Sequence, residues 1–151
     1  MPRPPELSDR AVALKPSLTL EISAKAKALR DSGQDICSLS AGEPDFDTPP
    51  FIVEATQEAL SSGITRYGPA SGDPELRAAI AHKLSVENAI PTQPEQVMVT
   101  NGGKQAIYNL FQVLLNPGDE VLLPAPYWLS YPEMAALAGA STTIIPTKAH
   151  E

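Results

Sequence analysis

The chain reads as an α/β protein in which a mostly parallel sheet is flanked by helices. Three observations predict this. From residue 95 the pattern alternates strand, helix, strand, helix, strand, an order that builds parallel sheets with crossover helices. The apolar run Val97-Met98-Val99 passes through Thr100-Asn101 into Gly102-Gly103-Lys104 and then a periodic helix. Finally, 151 residues with 42% hydrophobic content suffice for one sizeable core, since a domain of this size buries about 68–70% of its unfolded surface.

The elements follow in order. Met1 to Pro16 is rich in proline and charge without periodicity, which predicts an irregular arm. Residues 17 to 31 place Leu18, Ile22, Ala26 and Leu29 on one helical face, with Ser17 as N-cap and Gly33 as the stop. A short extended piece, Asp35 to Leu39, leads into Ala41-Gly42-Glu43-Pro44-Asp45-Phe46-Asp47-Thr48-Pro49-Pro50, too rich in breakers for a regular element. Thr48 then caps a helix with Pro49 in its first turn, Ile52, Thr56 and Ala59 inward, and Gly63 at its end. Asp73-Pro74-Glu75 repeats that start for a helix with Leu76, Ile80 and Leu84 on its stripe and His82 on the solvated side. Between these helices, Thr65 to Gly72 is a turn-rich loop able to present Tyr67 outward.

The second half is predicted as strand Gln96–Thr100, helix Gly103–Leu115, strand Glu120–Leu123, helix Trp128–Leu137 and strand Ser141–Ile145. The helix of 103 to 115 carries Ala106, Ile107, Leu110, Phe111 and Leu114 as one broad apolar face. Ligands of open parallel sheets bind beyond the carboxyl ends of strands. Both Asn101 to Lys104 and Pro124 to Trp128 fall there.

Net charge is −7 and the eleven basic residues form no cluster, which argues against a nucleic-acid backbone or an anionic membrane as partner. No apolar run approaches the roughly 20 residues of a membrane span and no hydrophobic signal core opens the chain, so a cytoplasmic enzyme is expected. The single cysteine, Cys37, lies in Ile36-Cys37-Ser38-Leu39 and reads as a buried, inert thiol.

The glycine-lysine bend is built for an anion. The first backbone N–H groups of a helix lack intrahelical partners and lie at the positive end of its dipole, and glycine lets the anion approach. Charge-assisted bonds of about 1.5–3 kcal/mol each would hold a phosphorylated small molecule. It is no P-loop, because Met98 and Gln105 stand where glycine and Ser or Thr are required, nor does Gly102-Gly103 have dinucleotide spacing. Lysine at a helix N-terminus opposes the dipole, a cost that a nearby anion offsets. At the second strand end, Trp128, the only tryptophan, either stacks on a planar ring or plugs the domain surface. Ser17 is either a plain cap or a ligand contact.

Five ordered motifs resemble the class I aminotransferases: Ser40 to Pro49, Tyr67-Gly68-Pro69, Asn101 to Ala106, Pro117-Gly118-Asp119-Glu120-Val121 and Pro126 to Pro132. With the early Lys15-Pro16-Ser17, they are most similar to the bacterial aspartate aminotransferases that include prephenate aminotransferases. The resemblance covers nearly the whole chain. It implies a fold type I enzyme dependent on pyridoxal 5'-phosphate, with a three-layer α/β/α large domain represented here in part. Residues 1–47 would form the N-terminal arm and a small-domain segment, and 48–151 the first, incomplete part of the large domain.

The resemblance also implies residue roles. Gly102, Gly103 and Lys104 would hold the cofactor phosphate through their backbone, and Trp128 would stack on the pyridine ring and border the substrate. Tyr67 would reach the phosphate of a neighbouring subunit in a homodimer. Gly42 would meet the substrate α-carboxylate, while the Lys104 side chain, Ser17 and Thr19 would face the distal carboxylate of an acidic amino acid, with a 2-oxo acid as co-substrate. Complete members are longer, and the lysine that carries the cofactor, with the Asp, Asn, Tyr and Arg around it, belongs to the part not represented. Lys104 and Lys148 do not replace that lysine, so no catalytic residue and no metal ligand is expected here. The 151 residues alone are expected to be inactive and, with unpaired sheet edges, prone to aggregate. Prephenate, aromatic and alanine aminotransferases share these motifs. A non-catalytic phosphate-binding module and a regulatory relative are the rival classes, the latter disfavoured because no basic helix-turn-helix precedes the motifs.

Overall fold

A computed structural model describes residues 6–40 and 42–148. In chain order the elements are α1 (Asp9–Ala13), α2 (Leu18–Asp31), α3 (Pro50–Ser61), α4 (Pro74–Glu87), a 3-10 turn (Pro94–Gln96), α5 (Gly102–Leu114), β1 (Glu120–Ala125), α6 (Ser130–Leu137) and β2 (Ser141–Pro146). They group into two compact units, one from Met1–Gly42 with Gly102–Glu151, the other Glu43–Asn101.

In the first unit, β1 and β2 pair in parallel from Glu120 opposite Ser141 to Ala125 opposite Pro146. α6 connects them, giving a strand-helix-strand unit whose helix packs on α5 and β2. Residues along β1 alternate between exposed and partly covered, the period-two pattern of a strand with one face toward its helices. The core is small and lies under α6, where Met134, Ala135 and Ala140 are buried. The α6–β2 turn closes tightly: Ser141 N–H donates to Asp119 O at 2.9 Å. Gly139, at φ +83°, leaves only 3.2 Å between an added Cβ and Pro117, so glycine is required there.

α2 starts and ends as its sequence predicts. Ser17 Oγ accepts from Leu20 N–H at 3.4 Å, and Gly33 at φ +86° stops the helix. Its covered stripe is only partly the expected one: Ala26 and Leu29 are covered as expected and Thr19 and Ser23 join them, while Leu18 and Ile22 remain exposed. The lead-in is not wholly irregular, since Ser8 caps the short α1 through Ala11 N–H. Cys37 is exposed rather than buried.

In the second unit, Asp73 caps α4 by accepting from Glu75 and Leu76 N–H at 2.9 and 3.1 Å. Arg77, Ile80, Ala81 and Leu84 form its covered side, His82 stays exposed as expected, and Leu76 is exposed instead of inward. α3 begins at Pro50 with Pro49 as its cap residue and no side-chain cap, so Thr48 does not cap it. Of its expected inward positions only Ala59 is partly covered; Thr56 faces water and bonds its own helix at Ile52 O, 2.8 Å. The strand expected over Gln96–Thr100 does not form. Its polar groups are taken elsewhere: Arg77 donates from Nε to Val97 O at 2.9 Å and from Nη2 to Pro94 O at 2.7 Å, and Val99 N–H donates to Ser71 O at 2.9 Å. One carbonyl and one amide of this segment are thus bonded outside any ladder.

Candidate functional site

Two elements of the first unit carry the site. α5 starts at the predicted glycine pair, with Gly102 at φ +77°, a conformation that a side chain would disfavour. An added Cβ at Gly102 or Gly103 would meet no atom within 4 Å, so the approach to the helix start is open. The N–H groups of Gly103 and Lys104 lie in the first turn, where no helical carbonyl reaches them. α6 begins two residues later than expected, at Ser130, so Trp128 belongs to the turn that leaves β1. Trp128 O accepts from Tyr131 N–H at 3.1 Å, and Thr147 Oγ1 donates to Ala125 O in the same turn. The turn is thus held at both ends.

The two elements meet through side chains. Lys104 Nζ stands 5.8 Å from the centroid of the Trp128 ring, within the range of a cation–π attraction. Trp128 is 49% exposed, so its ring lies half open rather than plugged into the core. Both residues line a cleft of about 630 Å³ together with Ser17, Thr19, Ser130 and Glu133, a volume suited to a small-molecule ligand.

Four of the predicted site residues, Ser17, Thr19, Lys104 and Trp128, therefore line one cleft, and Gly102 and Gly103 are not among its lining. Ser17 acts as the cap of α2 while also lining the cleft. Gly42 is exposed with nothing within 4 Å of an added Cβ, and its neighbour Ala41 lies outside the described residues. Tyr67 belongs to the second unit, its side chain fully exposed on the loop between α3 and α4. Among the described residues no group of His, Cys, Asp and Glu is arranged to hold a metal ion, and no helix is long and apolar enough to cross a membrane.

Sequence reasoning missed Glu133 and Lys15. Both line the cleft, and Lys15 N–H donates to Glu133 Oε2 at 3.4 Å. The available signal was the acidic residue in the first turn of α6, a position where a carboxylate is favoured by the dipole.

Comparison with known proteins places this geometry. Residues 34–151 match the family of class I and II aminotransferases. The chain is 51% identical over 145 residues to a probable aspartate/prephenate aminotransferase of Thermus aquaticus, covering 96% of this chain and 38% of that protein. It is 52% identical to a bifunctional aspartate and glutamate/aspartate-prephenate aminotransferase of Petunia hybrida, covering 96% of this chain and 30% of that one. Among solved structures, it superposes on the aspartate aminotransferase of Thermus thermophilus with maleate at a TM-score of 0.91 and 51% identity, over 95% of this chain and 38% of the other. The alanine aminotransferase of Pyrococcus furiosus gives a TM-score of 0.88 at 30% identity, over 95% and 37%.

The chain belongs to the class I and II aminotransferases. It has the α/β fold of the fold type I enzymes, of which it carries part. Class I members are generally pyridoxal phosphate enzymes. The chain spans 38% of the length of the Thermus relatives it matches.

Proposed function

We propose that this chain supplies the phosphate loop and the ring-stacking face of a pyridoxal phosphate-dependent aminotransferase that takes its amino group from an acidic amino acid. The observation that carries this reading is the cleft in which Lys104 and Trp128 stand together, 5.8 Å apart, beside Ser17 and Thr19. Residues 1–47 then serve as arm and small-domain segment, and 48–151 as the first part of the large domain.

The residues fit the cofactor. A phosphate needs converging donors and room, and Gly102 and Gly103 leave open space at the start of α5, where Gly103 and Lys104 N–H groups and the helix dipole favour an anion. A planar ring needs an exposed aromatic face, which the half-open indole of Trp128 offers. When bound, pyridoxal phosphate supplies an electron sink for the carbanion formed at the substrate Cα. What these residues add is placement. The phosphate loop fixes the end of the molecule, and Trp128 fixes its plane. The Lys104 ammonium, at the cleft wall, pairs with the distal carboxylate of the donor, and Ser17 and Thr19 offer it hydroxyl donors. The Gly42 backbone is assigned to the α-carboxylate, and exposed Tyr67 to the phosphate of a second subunit in a homodimer. None of the described residues is assigned to catalysis in this reading.

An acidic donor is favoured by the cationic wall: a carboxylate paired with an ammonium gains a charge-assisted bond that a methyl group cannot make. A bulkier 2-oxo acid such as prephenate is a second reading for the co-substrate. It is supported by the names of the Thermus and Petunia relatives.

The test is transamination by the longest polypeptide that carries this sequence, loaded with pyridoxal phosphate. With 2-oxoglutarate as acceptor, aspartate is expected to release oxaloacetate, and Lys104→Ala to reduce the preference for aspartate over alanine by roughly tenfold or more. Failure to transaminate any acidic amino acid overturns the reading.

A further inference from the structure

We infer that Glu133 is a positioning residue, one that ties down the segment carrying Ser17 and Thr19 and so sets the acidic-ligand wall of the cleft. The inference rests on the acidic-donor reading above and deepens it.

Three observations converge. Glu133 Oε2 accepts the backbone N–H of Lys15 at 3.4 Å, a contact between the first turn of α6 and the chain just ahead of α2. The residues from Leu14 to Leu20 all line the cleft, and Glu133 lines it opposite them in sequence but beside them in space. Ser17, two residues beyond the tethered amide, is the cap on which α2 starts. One carboxylate thus fixes where α2 begins and where its first-turn hydroxyls stand.

The tether also gives the carboxylate a partner of its own. A carboxylate facing a site meant for carboxylates would repel its ligand. Glu133 sits in the first turn of α6, where the dipole favours its charge, and it spends one oxygen on Lys15 N–H. Lys104 and Lys15, which both line the cleft, keep their ammonium groups for a ligand. A glutamine at 133 keeps a carbonyl oxygen for the same bond, whereas alanine has none.

The experiment is hydrogen–deuterium exchange on the longest polypeptide that carries this sequence, loaded with pyridoxal phosphate, with maleate as the dicarboxylate probe. Without maleate, Glu133→Ala is expected to raise exchange across Leu14–Leu20 by roughly fivefold, with Glu133→Gln close to wild type and peptides of α5 unchanged. Equal exchange in wild type and Glu133→Ala overturns the tether. With maleate, protection of Leu14–Leu20 is expected in wild type and Glu133→Gln and is lost in Glu133→Ala. Equal protection in all three overturns the positioning role. If maleate protects none of them, the acidic-donor reading falls and takes the wall with it, while the maleate-free comparison still decides whether Glu133 holds the segment.

Discussion

The Lys104 ammonium lies 5.8 Å from the centre of the Trp128 ring, which sets a helix start and a strand exit on one cleft wall. A cation over an indole is attracted by about 0.5–1 kcal/mol at an exposed site. A dicarboxylate offers Lys104 a stronger partner, about 1.5–3 kcal/mol. Lys104→Met is therefore expected to weaken maleate binding by roughly ten- to a hundredfold while leaving pyridoxal phosphate affinity within about threefold, because its phosphate is assigned to backbone donors. Calorimetric titration of each ligand separates the two. Equal losses for both would move the Lys104 side chain to the phosphate.

Trp128 is the only tryptophan of these 151 residues, and the difference in emission between wild type and Trp128→Leu reports the site. Pyridoxal phosphate is expected to quench it. Trp128→Leu should raise the cofactor dissociation constant by roughly two- to tenfold, the worth of one stacking contact. An unquenched indole at cofactor saturation would place the ring elsewhere.

Two glycines separate backbone strain from crowding. At Gly102 an added Cβ meets open space but φ is +77°, so Gly102→Ala should cost about 1–2 kcal/mol. At Gly72 φ is +106° and an added Cβ would lie 2.6 Å from Val99 Cγ2, so Gly72→Ala should cost about 2–5 kcal/mol. Denaturant unfolding checks the order. A Gly102 variant losing more than the Gly72 variant would contradict the geometry of both.

Arg77 does for the chain over Pro94–Val97 what a neighbouring strand would do elsewhere, holding two carbonyls at 2.7 and 2.9 Å. Arg77→Met keeps the aliphatic stem and leaves both carbonyls without this partner. The expected loss is about 2–4 kcal/mol, read from the unfolding midpoint. A loss below about 0.5 kcal/mol would mean that water replaces the guanidinium freely.

Much of this was legible in the sequence, and the exceptions have physical causes. α2, α4 and α5 announce themselves by caps and glycines: Ser17, Asp73, Gly33 and the Gly102-Gly103 pair act where the one-dimensional signals put them. β1, α6 and β2 follow from alternation, because a strand-helix-strand unit is local in sequence. The 96–100 strand was expected from apolar alternation, which does not say whether a neighbouring strand is there to pair with; Val97 O is instead bonded by Arg77. Inward faces were misplaced where polar residues pack, as at Thr19 and Ser23, rather than the large apolar Leu18 and Ile22 that pattern reading favours. Of the site, Lys104, Trp128, Ser17 and Thr19 meet in one cleft. Glu133 was missed because its place in the first turn of α6 marks only a helix start, while its contact is to a distant backbone amide that no local motif encodes.

The central claim, a phosphate gripped at Gly102 to Lys104 with its ring on Trp128, is tested most directly by a crystal structure with pyridoxal phosphate. The account predicts phosphate oxygens within hydrogen-bond distance of the Gly103 and Lys104 N–H groups and the pyridine ring stacked on the indole. A cofactor bound in full density anywhere else, with the α5 start facing solvent, would contradict it.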